Sequence, residues 1–275
     1  MTVQDYSAFA DMERSGWSDA ARASGYVDLF AAASDQAIES LLDAAGVRPN
    51  LKPLDLCCGQ GNVSAALLGR GCQVVGIDFS PAMLAFARER APKATFMEAD
   101  AQNIPFANAE FDVVVSNFGI CHVPDQPRAL AEARRVLRSG GRFAMTVWCG
   151  PEVSPCFAAV YGAVKAHGDP GVSTPVGPDF HQFARRELAT KLLSDAGFSN
   201  VAVTTVNCVW DLDRPEDLFE IYARGTVRAA KLLSSQPTEN LAAIRSALAA
   251  TVRQQFAHEN RWRVPVPAAL VQATA

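Results

Sequence analysis

The sequence predicts a doubly wound α/β fold, in which helices cover both faces of a mostly parallel sheet. Between residues 53 and 148, short apolar runs alternate with helical segments and the connections are short, which is typical of parallel strands joined by crossover helices. A second observation is the run LDLCCGQGN at 54–62, where an apolar stretch meets two glycines before a helix. The chain has 275 residues and is 49% hydrophobic, which is enough to fill a core of this kind.

Five strands are predicted in the alternating region, each from a short run of β-branched or other apolar residues. They lie at 53–57, 73–77, 94–98, 111–116 and 142–148. Further along, the sequence predicts a helix at 185–196 that ends at a glycine, and then a strand at 200–210. Strand character returns at about 264–273.

The helices between the strands have recognisable starts. Asn62 is predicted to cap the helix that follows the glycine turn. Ser80 is predicted to cap the next helix, with Pro81 at the first helical position, where a missing N–H has no cost. Asp125 is predicted to open a helix that runs to residue 137. These capping residues support the alternation of strands and helices.

The segments outside the alternating region are expected to cover the edge of the sheet where ligands bind. Residues 1–50 are predicted to form N-terminal capping helices. The core at 51–150 is completed by 183–206 and 262–275, and the inserts at 151–182 and 207–261 are predicted to form a substrate cover.

Two parts of these inserts can be described more closely. The glycine- and proline-rich loop at 168–178 is a candidate lid. The helical block at 213–258 has an apolar stripe at positions 241, 244, 248 and 252. The alternative for this block is that it serves packing or a dimer surface.

The bulk properties exclude several classes of protein. The net charge is −4 and no long run of like charges occurs, so nucleic acid is a poor candidate partner. The start of the sequence does not resemble a signal peptide, and no apolar segment approaches the ~20 residues of a membrane helix. The seven cysteines have no metal-binding spacing, so we expect reduced thiols in a cytoplasmic protein without a metal. The oligomeric state is left open.

Three acidic residues follow the first three predicted strands. Asp55 precedes the glycine turn, Asp78 lies at the tip of the second strand, and Asp100 lies just past the third. Because the carboxyl ends of parallel strands meet at one edge, we expect the three side chains to line one crevice. An acid at the end of the second strand suits a ribose, since its oxygens accept hydrogen bonds from two hydroxyls. The crevice is therefore predicted to bind a dinucleotide or another adenosine derivative.

The glycine turn distinguishes between these ligands. A dinucleotide-binding turn has a third glycine where this chain has Ser64. A pyrophosphate beside Asp55 would also meet like charge, at a cost on the order of 1 kcal/mol or more, which a cationic ligand avoids. S-adenosylmethionine combines adenosine, a sulfonium and an ammonium with a carboxylate that can lie at the helix N-terminus near Asn62. It is therefore the expected cofactor.

Four runs of the sequence carry a family resemblance: LDLCCGQGNVS, VVGIDFSPAML, MEADAQNIPF and FDVVVSNFGICHVPDQPRALAEARRVLRSGGRF. In these runs, over about residues 40–150, the chain resembles the class I S-adenosylmethionine-dependent methyltransferases. In particular it resembles the small-molecule group that includes the ubiquinone and menaquinone biosynthetic enzymes. The resemblance implies a seven-stranded sheet whose last strand, at about 264–273, is antiparallel. It also implies methyl transfer, with S-adenosylhomocysteine as the product.

The resemblance also implies roles for individual residues. The methionine end of the cofactor would lie at the turn of Asp55, Gly59 and Gly61, and Asp78 would hold the ribose. Phe79 and Met83 would lie against the adenine, Asp100 would accept from its amino group with the Ala101 amide nearby, and the backbone of Ser116 and Asn117 would face the amino-acid end. The alternatives are that Asp55 satisfies turn amides and that Phe79 and Met83 belong to the core. Cys57 stands where the family most often has glycine, so the backbone there must suit a residue with a Cβ.

Histidines and aromatic residues are the remaining candidates. His122 follows the fourth strand, where the acceptor is expected, and is a candidate general base. Relatives with different acceptors often have a histidine there, which favours a structural or shared role instead. His167 and His181 flank the candidate lid and either enter the pocket or lie at the surface. Tyr26 and Trp17 either close an N-terminal lid over the cofactor or serve packing.

The sequence therefore predicts a methyltransferase that moves a methyl group to O, C or N of a small, partly apolar metabolite. The first alternative is an NAD(P)-linked oxidoreductase, which would need the third glycine. The second is a protein that binds S-adenosylmethionine without transferring its methyl group, because no particular residue is obligatory for the chemistry. The segment SNFG after the fourth strand lacks the Pro-Pro-Tyr of enzymes that methylate amino groups of nucleic acids and proteins, so that class is disfavoured.

Overall fold

Apolar side chains bury the central strands of the sheet on both faces, as expected for parallel strands covered by helices. The computed structural model describes residues 5–275, so the first four residues of the predicted segment 1–50 lie outside the described part. Within it, the strands are β1 (Pro53–Leu56), β2 (Val75–Asp78), β3 (Thr95–Glu98), β4 (Phe111–Asn117), β5 (Leu137–Trp148), β6 (Ser199–Val206), β7 (Val209–Leu212), β8 (Ala257–His258), β9 (Arg261–Pro265) and β10 (Ala268–Thr274).

The α-helices lie before, between and after these strands. They are α1 (Ser7–Ser18), α2 (Ala20–Gly25), α3 (Ala31–Ser34), α4 (Ile38–Ala44), α5 (Asn62–Gly69), α6 (Pro81–Arg90), α7 (Gln126–Val136), α8 (Pro155–His167), α9 (Arg186–Asp195), α10 (Asp217–Gly225), α11 (Arg228–Ser234) and α12 (Thr238–Gln255). A π-helical turn, Tyr26–Phe30, joins α2 to α3.

The main sheet confirms the predicted fold class. Its seven strands have the order β3-β2-β1-β4-β5-β10-β6. β10 pairs antiparallel with both β5 and β6, whereas the pairs among β1 to β5 are parallel. The chain moves outward from β1 to β3 and then returns to β4 beside β1. This reversal leaves a crevice at the carboxyl ends of β1 and β4, where doubly wound folds bind their ligands.

Two of the three predicted helix caps are confirmed. Ser80 Oγ accepts a hydrogen bond from the Met83 amide at 3.1 Å, and Asp125 accepts one from the Arg128 amide at 3.0 Å. The predicted cap at Asn62 is wrong, because Asn62 is the first residue of α5 and follows a glycine at the cap position. Its side-chain amide instead donates to Asp35 at 2.6 Å. A contact with the N-terminal segment therefore overrides the local preference of asparagine.

The fifth strand begins earlier than predicted. α7 ends at Val136, and β5 starts at Leu137 rather than at residue 142. Leu137 pairs with Phe111, and the register shifts between that pair and the next. Gly140, with φ of +74°, allows the irregular backbone in this stretch. Gly140 and the adjacent Gly141 thus lie within the irregular strand β5.

Two predicted strands are each divided in two. The strand predicted at 200–210 becomes β6 and β7, and the strand predicted at 264–273 becomes β9 and β10. β7, β9 and β8 form a second, three-stranded antiparallel sheet. Pro267, which has no N–H for a ladder hydrogen bond, lies between β9 and β10. The chain therefore passes between the two sheets twice, once from β6 to β7 and once from β9 to β10.

A second hydrophobic core lies beside the second sheet. It joins α8 and the helical block α10–α12 to Phe30 of the N-terminal segment. In α12 the residues Ile244, Leu248 and Val252 are buried, as the apolar stripe predicted, and Leu241 is partly buried against them. Among residues 5–275, no helix combines the length and apolar character needed to cross a bilayer.

Ser80 stabilises the fold in two ways, and this can be tested by mutation. Its hydroxyl caps α6 and also donates to the Trp17 carbonyl at 2.6 Å, which attaches the N-terminal helices to the sheet. We expect Ser80→Ala to lower the free energy of unfolding by about 2 to 3 kcal/mol, the sum of a cap and a buried hydrogen bond. The measurement is urea denaturation.

Ser154→Ala is the matched control, because Ser154 is also fully buried and caps a helix, α8, through the Phe157 amide. It lacks the second hydrogen bond, so we expect a loss of only about 1 kcal/mol. Equal losses in the two variants would contradict the double role of Ser80.

Candidate functional site

The carboxyl ends of β1 to β4 and the N-terminal helices enclose a cavity of about 130 Å³, which we call the crevice cavity. The predicted site residues that line it are Tyr26, Asp55, Gly59, Asp78, Phe79, Met83, Asp100, Ala101, Asn117 and His122. Gly61 and Ser116 do not line it. The sheet edge thus brings together residues that are up to 96 positions apart in sequence.

Asp78 connects two loops at the base of the crevice cavity. One carboxylate oxygen accepts a hydrogen bond from the Gly59 amide at 3.0 Å, and the other accepts one from the Ser80 amide at 2.9 Å. Burial raises the pKa of Asp78, while these two amides oppose the increase. The carboxylate therefore fixes the glycine turn relative to the start of α6 and still has lone pairs free for a ligand.

Asp55 is almost fully buried beneath the glycine turn. Its Oδ2 accepts a hydrogen bond from the Ser64 hydroxyl at 2.6 Å, whereas its Oδ1 has no partner. Burial raises its pKa to about 7, an increase that the Ser64 hydrogen bond opposes and Asp78 strengthens. Ser64, at the position of the missing third glycine, thus supports a carboxylate that has an acceptor atom available.

The two glycines of the turn differ in what they face. Both have left-handed backbones, with φ of +52° at Gly59 and +79° at Gly61. An added Cβ at Gly61 would lie 3.0 Å from the Ala87 Cα, so this glycine allows α5 to approach α6. No atom lies within 4 Å of an added Cβ at Gly59. Gly59 therefore keeps the cavity floor open, and Gly61 serves helix packing.

Cys57 has a left-handed backbone, with φ of +59°, although it is not glycine. Its Cβ lies against Gly119, where an added Cβ would be only 2.3 Å away. Burial, followed by the nearby Asp78, raises the pKa of the Cys57 thiol well above its usual value, so the thiol stays protonated. The Cβ that the sequence placed at this turn is thus accommodated by a glycine on the opposite wall.

Asp100 and Phe79 lie at the outer end of the cavity beneath α1. Arg14 of α1 forms an ion pair with Asp100 at 3.3 Å, and its guanidinium lies 5.3 Å from the centroid of the Phe79 ring. The Gln102 amide also donates to Asp100, at 2.8 Å. Met83 is buried with Phe79 and Trp17 in a small apolar cluster. The predicted adenine contacts are therefore assembled as one surface, with α1 above it.

Ser116 and Asn117 end β4 beside the glycine turn. Ser116 is fully buried and its hydroxyl has no hydrogen-bond partner. Asn117 donates from its amide to the Ser34 carbonyl at 3.1 Å and accepts from the Thr146 hydroxyl at 2.5 Å. The side chain of Asn117 thus holds the N-terminal segment against the strand.

His122 forms a buried ion pair with Glu13 of α1. Its Nδ1 lies 2.9 Å from Glu13 Oε2, which also accepts a hydrogen bond from the Trp17 indole at 2.9 Å. Burial by itself lowers the pKa of His122, but the neighbouring Cys121 and the Glu13 carboxylate raise it to about 10. The contact with Glu13 favours the charged form of the imidazole, whereas a general base needs the neutral form. The role of His122 as a general base stays a prediction.

A second cavity adjoins the first and has a different character. Its volume is about 430 Å³, and nine of its 21 lining residues are aromatic, so we call it the aromatic cavity. The aromatic lining residues are Trp17, Tyr26, Phe30, Phe118, Trp148, Phe157, Tyr161, Phe180 and Tyr222. α8, the following loop, α10 and α11 supply much of this wall. These elements belong to the two inserts.

Four residues line both cavities, namely Trp17, Tyr26, Phe118 and His122. Trp17 contacts both Tyr26 and His122 edge to face, with ring centroids 5.4 and 5.3 Å apart. Phe118 has φ of +58° and stacks on Trp148 at 3.9 Å. The two cavities therefore meet at an aromatic junction with one charged imidazole.

His181 and His167, which flank the candidate lid, have different environments. His167 is exposed. His181 is buried, its Nδ1 lies 2.9 Å from the Trp148 carbonyl, and its Nε2 lies 2.8 Å from the Tyr161 hydroxyl. Burial lowers the pKa of His181. The surface alternative is therefore correct for His167 and wrong for His181, which is a neutral ring behind the aromatic cavity.

The charges of the crevice cavity fit a cationic adenosine derivative. Five carboxylates line it: Glu13, Asp35, Asp55, Asp78 and Asp100. Glu13 and Asp100 form ion pairs, whereas the other three have no cationic partner within ion-pair distance among residues 5–275. Burial raises the pKa of each of these three. A bound cation would compensate their charge, whereas a pyrophosphate would add to it. No group of His, Cys, Asp or Glu suited to a metal ion occurs in the described part of the chain.

Several lining residues were not found from the sequence. Glu13, Asp35 and Phe118 belong to segments whose relation to the sheet edge depends on the fold. The only local signal was the spacing of Glu13 and Trp17, which places both on one face of a helix. Nothing local indicated that Glu13 contacts His122, which follows it by 109 residues.

Comparison with known proteins agrees with this geometry. The model of a family described as a methyltransferase domain matches residues 54–145. A demethylmenaquinone methyltransferase of Beutenbergia cavernae is 41% identical over 121 residues, which cover 44% of this chain and half of that protein. A ubiquinone/menaquinone biosynthesis C-methyltransferase of Brucella anthropi is 31% identical over 58% of this chain and 67% of its own length.

The solved structures agree in fold. The YcgJ protein from Bacillus subtilis superposes with a TM-score of 0.57 over 86% of this chain and 97% of that one, at 17% identity. This likeness concerns the fold alone, whereas the sequence matches fall on the strands and turns that build the crevice cavity. The likeness in sequence to the Brucella anthropi enzyme, at 31% identity over 67% of its length, shows that the chain belongs to the class I S-adenosylmethionine-dependent methyltransferases.

Proposed function

We propose that the protein transfers the methyl group of S-adenosylmethionine to O, C or N of a small molecule bound in the aromatic cavity. One observation carries the proposal: a carboxylate-lined cavity and an aromatic cavity meet at a shared junction. The first suits the cationic cofactor and the second suits an apolar acceptor. The names of the relatives, which concern quinone biosynthesis, support a small-molecule acceptor.

In this proposal the crevice cavity holds the cofactor through residues already in place. Asp78 would accept from the ribose hydroxyls, Asp100 from the adenine amino group, and Phe79 with Met83 would lie against the ring. Asp55 Oδ1, which has no partner, is available to the cationic methionine end. Ala101 and the backbone of Asn117 complete the wall. All of these residues line the crevice cavity.

The cofactor, when bound, supplies a methyl group on a positively charged sulfur: the acceptor's electron pair forms the new bond to carbon, and the pair of the broken C–S bond stays on sulfur. The protein's own contribution is to position the acceptor and exclude water. Positioning alone can supply roughly 7 to 11 kcal/mol. The aromatic junction of Trp17, Tyr26 and Phe118 suits this task, because its rings are large, rigid and apolar. Trp17 and Tyr26 would thus form part of the N-terminal cover.

For His122 we propose the role of a fixed cation at the junction instead of a general base. The imidazolium has no free nitrogen lone pair to accept a proton, and Glu13 stabilises the charged form. A proton that leaves the acceptor would therefore pass to solvent or to another group. This is the shared or structural role that was the alternative to catalysis by His122.

The inserts at 151–182 and 207–261 are proposed to cover the acceptor. They contribute Phe157, Phe180 and Tyr222 to the aromatic cavity, and the loop at 168–178 contributes Thr174. In contrast, the core segments contribute most of the crevice cavity. A cytoplasmic location remains a prediction from the sequence.

The alternative functions are less well supported. An NAD(P)-linked oxidoreductase would place a pyrophosphate among Asp35, Asp55 and Asp78, with Ser64 in place of the third glycine. A protein that binds the cofactor without transferring its methyl group would have little use for an aromatic cavity of 430 Å³. The next two experiments test these alternatives in turn.

Calorimetry distinguishes the cofactors. We expect micromolar binding of S-adenosylmethionine and at least about tenfold weaker binding of NAD. Asp78→Asn should weaken the binding of S-adenosylmethionine at least about tenfold. The asparagine side chain has one acceptor oxygen and cannot accept from both ribose hydroxyls and both backbone amides. Asp195→Asn, at an exposed residue of α9, is the control and should bind normally. Equal or tighter binding of NAD would favour the oxidoreductase.

Transfer is tested with cofactor that carries a labelled methyl group. We expect the protein, incubated with the small-molecule fraction of a bacterial cell extract, to produce a labelled compound that chromatography separates from the cofactor. Asp78→Asn should reduce this product at least about tenfold at limiting cofactor. If the cofactor binds but no extract gives a labelled product, the protein is a binding protein.

The His122–Glu13 pair makes stability depend on pH. The pKa of His122 is about 10 in the folded protein and near 6.5 in an unfolded chain, so its stabilisation is fully present below about pH 6.5 and is lost as the pH rises through about 10. Relative to Glu13→Gln, we expect the wild-type free energy of unfolding to fall by about 2 to 4 kcal/mol between pH 7 and pH 10.

Urea denaturation at the two pH values measures this difference. Glu13→Gln keeps the shape of the side chain and its bond from Trp17 but removes the charge. Glu89→Gln, at an exposed residue of α6, is the control and should follow the wild type. Parallel pH profiles for wild type and Glu13→Gln would show that Glu13 does not raise the pKa of His122.

A further inference from the structure

One buried carboxylate of the crevice cavity lies between two cationic side chains that line the aromatic cavity. Glu13 is only 2% exposed, and its Oε2 contacts His122 and Trp17. Its Oε1 has no hydrogen-bond partner and lies 4.0 Å from Nε of Arg228. Glu13 therefore faces two positive groups while carrying a single negative charge.

Arg228 is held in place mainly by aromatic rings. Its guanidinium lies 4.8 Å from the centroid of Phe9 and 5.4 Å from that of Phe180. Nη2 donates to the Pro178 carbonyl at 3.4 Å, but Nη1 is buried and has no partner. A guanidinium cannot lose its proton in a protein, so this N–H remains an unsatisfied, charged donor. The position of the Arg228 side chain is thus fixed, but its Nη1 has no acceptor.

The charges around the aromatic cavity do not balance. Its lining in the described chain includes His122, Lys165 and Arg228 but no aspartate or glutamate. Lys165 is exposed, so solvent screens its charge. Glu13 lies at hydrogen-bond distance from His122 but 4.0 Å from Arg228, whose Nη1 is buried without a partner. The guanidinium of Arg228 is thus a poorly compensated positive charge in an apolar, aromatic wall, where it is costly unless a ligand compensates it.

We propose that the methyl acceptor is an apolar aromatic molecule with one carboxylate, that Arg228 binds this carboxylate, and that the cavity rejects ammonium groups. The inference rests on the proposed function, because it names the acceptor class of the same site. The planar guanidinium matches a carboxylate through parallel N–H donors. A single negative charge compensates the guanidinium of Arg228, whereas a doubly charged phosphate would exceed its charge. The methylated atom lies elsewhere on the acceptor, at the junction of the two cavities.

The test compares three probes of the same size and different charge: 2-naphthoate, 2-naphthol and 2-naphthylmethylamine. Each is titrated into the full chain saturated with S-adenosylhomocysteine, and tryptophan fluorescence reports binding, since Trp17 and Trp148 line the cavity. At pH 7 we expect 2-naphthoate to bind at least about tenfold more tightly than the amine.

Variants of the two cations assign the effect to Arg228. Arg228→Gln should raise the dissociation constant of 2-naphthoate at least about tenfold and change that of 2-naphthol by no more than about twofold. Arg228→Lys keeps the charge and should retain a preference for 2-naphthoate over 2-naphthol. Lys231→Gln removes the charge of an exposed residue of α11 that does not line the cavity, so it is the control and should bind all three probes as the wild type does.

Several results would overturn the inference. They are equal or tighter binding of the amine, no binding of 2-naphthoate, and equal weakening of 2-naphthoate and 2-naphthol by Arg228→Gln. The comparison of the three probes on the wild type does not depend on whether any variant folds. Calorimetry with S-adenosylhomocysteine on the same samples separates the two proposals. If the wild type binds S-adenosylhomocysteine without preferring 2-naphthoate, only this inference fails, whereas absent binding would remove the proposed function itself.

Discussion

The buried carboxylate of Glu13 is the constraint on which the arrangement of both cavities depends. It fixes α1 over the sheet edge by accepting from Trp17 of its own helix and pairing with His122 beyond β4. Removing one partner of such a pair leaves a buried charge without compensation, which is strongly unfavourable. The N-terminal helix is therefore held at a defined height above the crevice cavity. The junction residues, two of which lie before β1, acquire their positions from this contact.

Local chemistry made much of the fold predictable from the sequence. Ser80 and Asp125 cap their helices because each bonds an amide three residues ahead, and such bonds depend on few other residues. The carboxylates after β1, β2 and β3 lie together because the topology of parallel strands brings their ends to one edge. In contrast, Asn62 could not be assigned correctly, since its partner Asp35 belongs to another part of the chain.

The aromatic cavity was less predictable for the same reason. Its walls come from α1, β5, α8, α10 and α11, whose sequences indicate helices or strands but not their mutual arrangement. Two predicted strands are each divided in two, and this produces a second sheet. The apolar runs are continuous across these divisions, so the sequence did not indicate the second sheet. That sheet and Phe30 support the helical block from the side of the N-terminal segment. Thus much of the crevice cavity follows from local sequence patterns, whereas the aromatic cavity follows from long-range packing.

The contact between Cys57 and Gly119 has a consequence for how this family member can diverge. The two positions share one small volume, so either residue can grow only if the other shrinks. If glycine replaces Cys57, the nearest atom to an added Cβ at position 119 is the Ser116 Oγ, at 3.0 Å. A small residue such as alanine then has more space at position 119. Substitution at these two sites should therefore be correlated among descendants of this protein, even though 62 peptide bonds separate them.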